Sequence, residues 1–202
     1  MAGGVAGIAA TACATSLHAA DIGQLSKRAL AGGTGKWDDS WTTRLGAHRT
    51  VFDVSDLEAE PGPDAVPDVM DAYHDVLGTS DADLGFVLVL RHHAVPLFFG
   101  DAIWAKYPVS EDMKEKDPNT NAPYKRNPQR DLVAKLQQRG VVVLGCNRAV
   151  AGFIVRTADH AKAKTEDVRR EVMGSLMPGV ILQPNGLYAL ARAQDVGCGF
   201  MR

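Results

Sequence analysis

Residues 140–146 have the sequence Gly140-Val141-Val142-Val143-Leu144-Gly145-Cys146, a short apolar run that is rich in β-branched side chains and bounded by glycine. A helical pattern precedes it. Such a run is typical of a strand that is buried on both faces of a parallel sheet. In open α/β sheets, ligands and reacting groups collect just beyond the carboxyl ends of the strands. Because Cys146 ends the run, its thiol is predicted to lie where chemistry takes place.

A second apolar run leads to a cluster of basic side chains. Residues 86–90 (FVLVL) are wholly apolar, and Arg91, His92 and His93 follow them directly. The carboxyl ends of parallel strands meet at one end of a sheet, so this cluster is predicted to share a crevice with Cys146. Neighbouring residues of a strand point to opposite faces. The two histidines can therefore address one ion only if the chain turns there.

The remaining pattern alternates strands with helices. Buried strands are predicted at 51–54 and 180–182, and an edge strand at 198–201. The predicted helical segments are 64–77, part of 94–107, 129–139, 147–156, 165–177 and 187–196. This alternation predicts a three-layer α/β/α fold with a mostly parallel open sheet.

Two patterns of apolar and aromatic residues predict how individual side chains pack. The inward stripe of the first helix is predicted to contain Val66, Val69, Met70, Tyr73, Val76 and Leu77, with His74 and Asp75 facing solvent. Trp37 and Trp41 are four residues apart, so one helical turn would place both rings on one side as a packing clasp.

Composition limits the classes of function. The chain of 202 residues has 46% hydrophobic residues and a formal net charge of -2, which fits one domain and gives no reason to expect nucleic acid. Three cysteines, at positions 13, 146 and 198, are too few and too scattered for a disulfide framework or a CxxC zinc knuckle. Cys198 is interpreted as a packing residue.

The beginning of the chain is different in composition from the rest. Residues 1–20 are rich in alanine and glycine and uncharged, like a secretory leader without its basic region, which predicts export to the periplasm. An ordinary disordered N-terminus of a cytoplasmic protein is the alternative. Residues 21–202 are predicted to form the single domain, with a long polar loop at 108–128. No segment is expected to span a bilayer.

The residues alone leave three kinds of function open. Cys146 is either a reactive thiol, with Arg148 adding positive charge, or a small buried packing residue. His92 or His93 is a candidate ligand of haem or a transition metal. Alternatively, the protein binds a small ligand without chemistry. In that case the pocket walls would be Arg91, His92, Asp101, Trp104 and Asn185. Motifs of P-loop proteins, dinucleotide-binding proteins, zinc proteases and serine hydrolases are absent, so a conventional metabolic enzyme is not expected.

Several short motifs, taken in their order along the chain, resemble those of a known protein family. Over about residues 36–202 the sequence resembles the DsrE-like branch of the DsrE/DsrF sulfur-relay superfamily. The motifs that carry the resemblance are Trp37-Asp38-x-Ser40-Trp41, Val51-Phe52-Asp53, Leu90-Arg91-His92, Asp101-Ala102-Ile103-Trp104-Ala105-Lys106-Tyr107, Asn127-Pro128, Gly140-Val141 up to Cys146, Met177-Pro178-Gly179-Val180, and Pro184-x-Gly186-x-x-Ala189-Leu190-x-Arg192-Ala193-Gln194.

The resemblance implies a three-layer α/β fold, assembly into homo-oligomers, and a cysteine that accepts sulfane sulfur as a persulfide. Cys146 is the position that matches this cysteine. The implied activity is that of a sulfurtransferase-like carrier, working with a sulfur donor and an acceptor that are proteins or small molecules. Whether a cofactor is bound stays open, with no cofactor, haem or a transition metal as the alternatives.

Overall fold

The computed structural model describes residues 37–56 and 62–202. The leader-like stretch, Cys13 and the segment that follows them lie outside the described residues. Within these ranges the sheet contains five strands, in the order β4-β3-β2-β1-β5, and every pair of neighbours is parallel. The strands are β1 His48–Val54, β2 Leu84–Leu90, β3 Val142–Cys146, β4 Ile181–Gln183 and β5 Gly199–Met201. The predicted parallel open sheet is confirmed.

The two longest apolar runs form adjacent strands in the middle of the sheet. All residues of β2 and β3 are buried, which explains why neither sequence alternates between polar and apolar side chains. Leu90 is paired with Gly145. Because the strands are parallel, the next residues, Arg91 and Cys146, lie at the same level at the carboxyl end of the sheet.

Helices cover both faces of the sheet. The α-helices are α1 Ala65–Leu77, α2 Asp101–Lys106, α3 Val109–Asp112, α4 Arg130–Gln138, α5 Asn147–His160, α6 Thr165–Gly174 and α7 Gly186–Asp195. Short 3₁₀ helices occupy Ser40–Arg44, Asp81–Asp83 and His92–Phe98. The larger core joins one face of the sheet to α1, α2, α4, α5 and α6, and the smaller core joins the other face to α7 and Trp41. This is the predicted three-layer α/β/α arrangement.

The end of α1 departs from the predicted stripe. Val66 and Met70 are buried, but Val76 is 79% exposed and Leu77 57% exposed. The ring of Tyr73 already contacts His48, the first residue of β1, with ring centroids 5.2 Å apart. The last turn of α1 therefore extends past the amino end of the sheet, where no strand lies beneath it.

Two further local predictions need correction. His74 is half-buried rather than solvated, and its Nε2 lies 3.2 Å from a carboxylate oxygen of Asp81. The predicted helical turn containing both Trp37 and Trp41 is also wrong, because the 3₁₀ helix begins only at Ser40. Trp41 alone is fully buried, so the clasp consists of one indole ring.

Gly145 provides a stability test of the packing behind the thiol. A Cβ at this position would lie 2.8 Å from both Leu182 Cδ2 and Phe98 Cζ. We expect Gly145→Ala to lower the free energy of unfolding by about 1–3 kcal/mol through overpacking, measured by urea denaturation.

Gly174→Ala is the matched control for this substitution, because a Cβ at Gly174 would meet nothing within 4 Å. Its replacement by alanine should leave stability unchanged or raise it by less than about 1 kcal/mol. Equal stabilities of the two variants would contradict the packing described for Gly145.

Candidate functional site

Cys146 and the two histidines meet at the carboxyl end of the sheet. They line a cavity of about 230 Å³, which we call the Cys146 crevice. Its walls are His92, His93, Cys146, Arg148, Ala149, Gly152 and Arg156. The predicted juxtaposition of the thiol with the cluster after β2 is therefore present.

A sharp turn directs both histidines to the same side. The backbone is extended at Arg91, with φ -139°, and adopts the left-handed conformation at His92, with φ 51°. The backbone N–H groups of His93 and Ala94 both donate to the carbonyl of Ser55, at 2.9 and 3.1 Å. Because the chain leaves the strand before His92, strand alternation no longer separates the two rings, and both side chains are exposed.

Arg91 is occupied by a buried ion pair and is not free to bind a ligand. Its Nε donates to Oδ1 of Asp53 at 2.5 Å and its Nη2 donates to Oδ2 at 2.8 Å. The hydrogen bond to Asp53 raises the pKa of the Arg91 guanidinium, against the opposing effect of burial. A Cβ at Gly186 would lie 2.6 Å from Arg91 Cβ, so α7 begins in direct contact with this side chain. The role predicted for Arg91 as a pocket wall is thus replaced by a structural one.

The thiol of Cys146 caps the helix that follows it. Cys146 is the N-cap residue of α5, and its Sγ accepts a hydrogen bond from the backbone N–H of Ala149 at 3.3 Å. The residue is 5% exposed, at the wall of the crevice. A helix N-terminus and an N–H directed at sulfur favour negative charge there, and the thiolate is the reactive form of cysteine.

Cys198 has a different environment. It is buried in the smaller core, and its backbone N–H donates to the carbonyl of Ala193 at 3.0 Å. Desolvation raises the pKa of this thiol, although the charge of Arg49 acts in the opposite direction. These features agree with the packing role expected for Cys198, and they make it an internal reference for the reactivity of Cys146.

A second cavity adjoins the crevice. It has a volume of about 280 Å³ and shares His92, His93 and Arg156 with the first. The other lining residues are Val95, Pro96, Val109, Asp112, Met113, Phe153 and His160. Part of this wall comes from α3 and Met113, so the segment predicted as a long loop at 108–128 begins with a short helix that borders the site.

Several lining residues were not predicted from the sequence, among them three that are evenly spaced along α5. Gly152, Arg156 and His160 continue from Arg148 at intervals of four along α5. Residues four apart lie on the same side of a helix. This spacing was a usable signal, but only together with the knowledge that this side of α5 faces the cavities.

Two of the predicted ligand residues, Trp104 and Asn185, are held by structural contacts outside both cavities. Trp104 is fully buried, and its Nε1 donates to the carbonyl of Pro96 at 3.0 Å. Asn185 caps α7, with its Oδ1 accepting from the N–H of Tyr188 at 2.9 Å. Both side chains have structural partners, which explains why they do not line the crevice.

Asp101 belongs to a separate surface depression beside α4 and Met177. Burial raises the pKa of this carboxyl, but hydrogen bonds from the Asn127 N–H, Arg126 and Arg130 outweigh it, and the net pKa is lowered. Asp101 thereby ties the end of the 108–128 segment to α2. Asp101 therefore lines this depression and not the Cys146 crevice.

The metal-binding alternative receives little support from geometry. Among the described residues, no three His, Cys, Asp or Glu side chains are grouped so that they could hold a metal ion. His92 and His93 would need additional ligands from a bound molecule or a second copy of the chain.

Comparisons with known proteins add no family assignment. No protein-family model matches the sequence, and no curated protein is significantly similar to it. In the described part of the chain, no helix combines the length and the apolar character needed to cross a bilayer.

The buried ion pair between Asp53 and Arg91 predicts a measurable effect on the free energy of unfolding. Asp53→Asn should lower the free energy of unfolding by about 3 kcal/mol, because it leaves the buried Arg91 charge uncompensated. Asp167→Asn breaks the exposed Asp167–Arg170 pair and should cost less than about 1 kcal/mol. Urea denaturation of both variants measures the difference. A cost for Asp53→Asn no larger than that of the control would show that the buried pair does not hold this end of the sheet.

Proposed function

We propose that the protein binds sulfane sulfur as a persulfide on Cys146 and passes it to an acceptor, as a member of the DsrE-like branch of the sulfur-relay superfamily. The position of the thiol is the main support. Cys146 combines a helix N-terminus, a hydrogen bond to Sγ and access to a cavity with basic walls. A cysteine needed only for packing requires none of these features.

The proposed loading step needs no external oxidant or reductant. The Cys146 thiolate attacks the outer sulfur of a donor persulfide, R–S–SH. A bond forms between Sγ and that sulfur, the S–S bond of the donor breaks, and its electron pair leaves with the donor thiolate. Transfer to an acceptor thiol repeats the same exchange. Arg148 and Arg156 line the same cavity, where they can stabilise negative charge on the sulfur atoms.

Binding of haem, a metal ion or a small ligand through His92 or His93 is the second candidate. The left-handed turn at His92 favours it, because this turn brings both imidazoles to one cavity. A visible absorption spectrum and metal analysis of the purified protein distinguish this candidate from the first. A Soret band or stoichiometric metal would support it.

Self-association and export also belong to the proposal. Leu187 and Tyr188 on α7 and Phe200 on β5 are exposed apolar side chains, which are suitable contacts for a second copy of the chain. The composition of residues 1–20 supports export to the periplasm.

The persulfide role predicts selective loading of one cysteine. After incubation with a low-molecular-weight persulfide, peptide mass spectrometry should find one added sulfur atom on the peptide containing Cys146. Cys146→Ser should abolish the added mass, because the serine hydroxyl is not a comparable nucleophile.

Cys198→Ser is the matched control, since Cys198 is also buried but has no contact with the crevice. This variant should still load at Cys146. If Cys146 stays unmodified while the protein is folded, or if sulfur collects mainly on Cys198, the proposed function is wrong.

A further inference from the structure

Two adjoining cavities lie next to Cys146 and share part of their walls. Their volumes are about 230 and about 280 Å³, close to the roughly 300 Å³ lower end of small-molecule pockets. His92, His93 and Arg156 line both. A ligand with its reacting atom at Cys146 can therefore extend past Arg156 into the second cavity.

The charges along this path favour an anion. Arg148, Arg156 and His160 line it from one side of α5. Within the described residues, Arg148 and Arg156 make no ion pair with a carboxylate, unlike Arg91, which is neutralised by Asp53. Asp112 is the lone carboxylate among the described lining residues, and it lies 3.5 Å from Nδ1 of His160. The guanidinium groups are thus left for a negatively charged ligand.

The second cavity also has an apolar side. Val95, Val109, Met113 and Phe153 line it together with the basic residues. A small inorganic anion would leave these side chains without contact. An organic molecule with a short carbon chain and a terminal carboxylate matches both parts of the wall.

Gly152 lines the Cys146 crevice next to the Arg156 side chain. It lies in the interior of α5, where glycine costs about 1 kcal/mol relative to alanine. A Cβ at this position would lie 3.2 Å from Nη1 of Arg156. The Arg156 guanidinium therefore folds back over Gly152, toward the part of the crevice that contains Cys146. A Cβ at position 152 would require the Arg156 guanidinium to shift by a few tenths of an ångström.

We infer that the sulfur donor is a small organic persulfide that bears a carboxylate, with its outer sulfur at Cys146 and its carboxylate at Arg156. The inference rests on the proposed persulfide function and names its substrate class. The donor loses its outer sulfur to Sγ and leaves as the carboxylated thiolate, so sulfur and charge balance as in the loading step above. Arg156 binds the same carboxylate before and after the transfer.

Loading rates with matched donors test this assignment. The persulfide of mercaptopropionate carries a carboxylate, the persulfide of mercaptoethanol is a neutral analogue of similar size, and thiosulfate is a small inorganic donor. The wild-type protein should load Cys146 fastest from the mercaptopropionate persulfide at equal donor concentration. Arg156→Gln should slow loading from this donor roughly five- to tenfold, and more than it slows loading from the neutral one.

Two further variants distinguish donor binding at Arg156 from general effects of charge and stability. Arg170→Gln removes an exposed charge of α6 that does not line either cavity, and it should keep the donor preference. Gly152→Ala should leave the melting temperature unchanged or higher, because alanine favours the helix. It should slow loading from the carboxylated donor less than Arg156→Gln does, because the Arg156 guanidinium needs to shift only slightly.

The loading rates distinguish an error in the substrate class from an error in the persulfide function. If no donor loads Cys146, the persulfide function itself is wrong. If the carboxylated and neutral donors load equally fast, or thiosulfate loads faster than both, the function stands and the substrate class is wrong. A preference that survives Arg156→Gln unchanged would also overturn the assignment of the carboxylate to Arg156.

Discussion

The buried ion pair between Asp53 and Arg91 is the interaction on which the carboxyl end of the sheet depends. It joins the ends of the adjacent strands β1 and β2 through two hydrogen bonds. Both side chains are almost completely buried, so the pair is stable only because each charge has its partner. Gly186 packs directly against Arg91, which extends the same constraint to the beginning of α7. By holding Arg91 inside, the pair fixes the point at which the chain turns at His92.

Two turns at the carboxyl end of the sheet form the site. The turn after β2 supplies exposed imidazoles, and the turn after β3 supplies a thiol at the start of a long helix. Parallel pairing in register brings these turns to the same level. The basic residues of α5 then complete the wall, because α5 starts at the thiol and runs past both cavities. Backbone topology thus positions the thiol, while helix periodicity positions the charges.

The sequence predicted the backbone better than the site. The runs that became β2 and β3 are apolar throughout, and such runs have few alternatives to a buried strand. Cys146 and His92 could be placed together for the same reason. The ion pair between Arg91 and Asp53 could not be predicted, because Asp53 is 38 residues away and its place in the predicted strand at 51–54 does not show which basic side chain faces it. Trp104 was misjudged similarly: its indole N–H is satisfied by the carbonyl of Pro96, a contact that depends on the path of the 3₁₀ helix at His92–Phe98.

The most direct measurement of the central claim is the rate at which a small alkylating reagent modifies each cysteine of the folded protein, determined by peptide mass spectrometry. A thiol that caps α5 and borders a cavity should react well before one that is desolvated in the smaller core. The account therefore predicts that Cys146 is modified much faster than Cys198 in the folded protein, and that the two rates become similar in denaturant. Equal protection of both thiols in the folded state would contradict it.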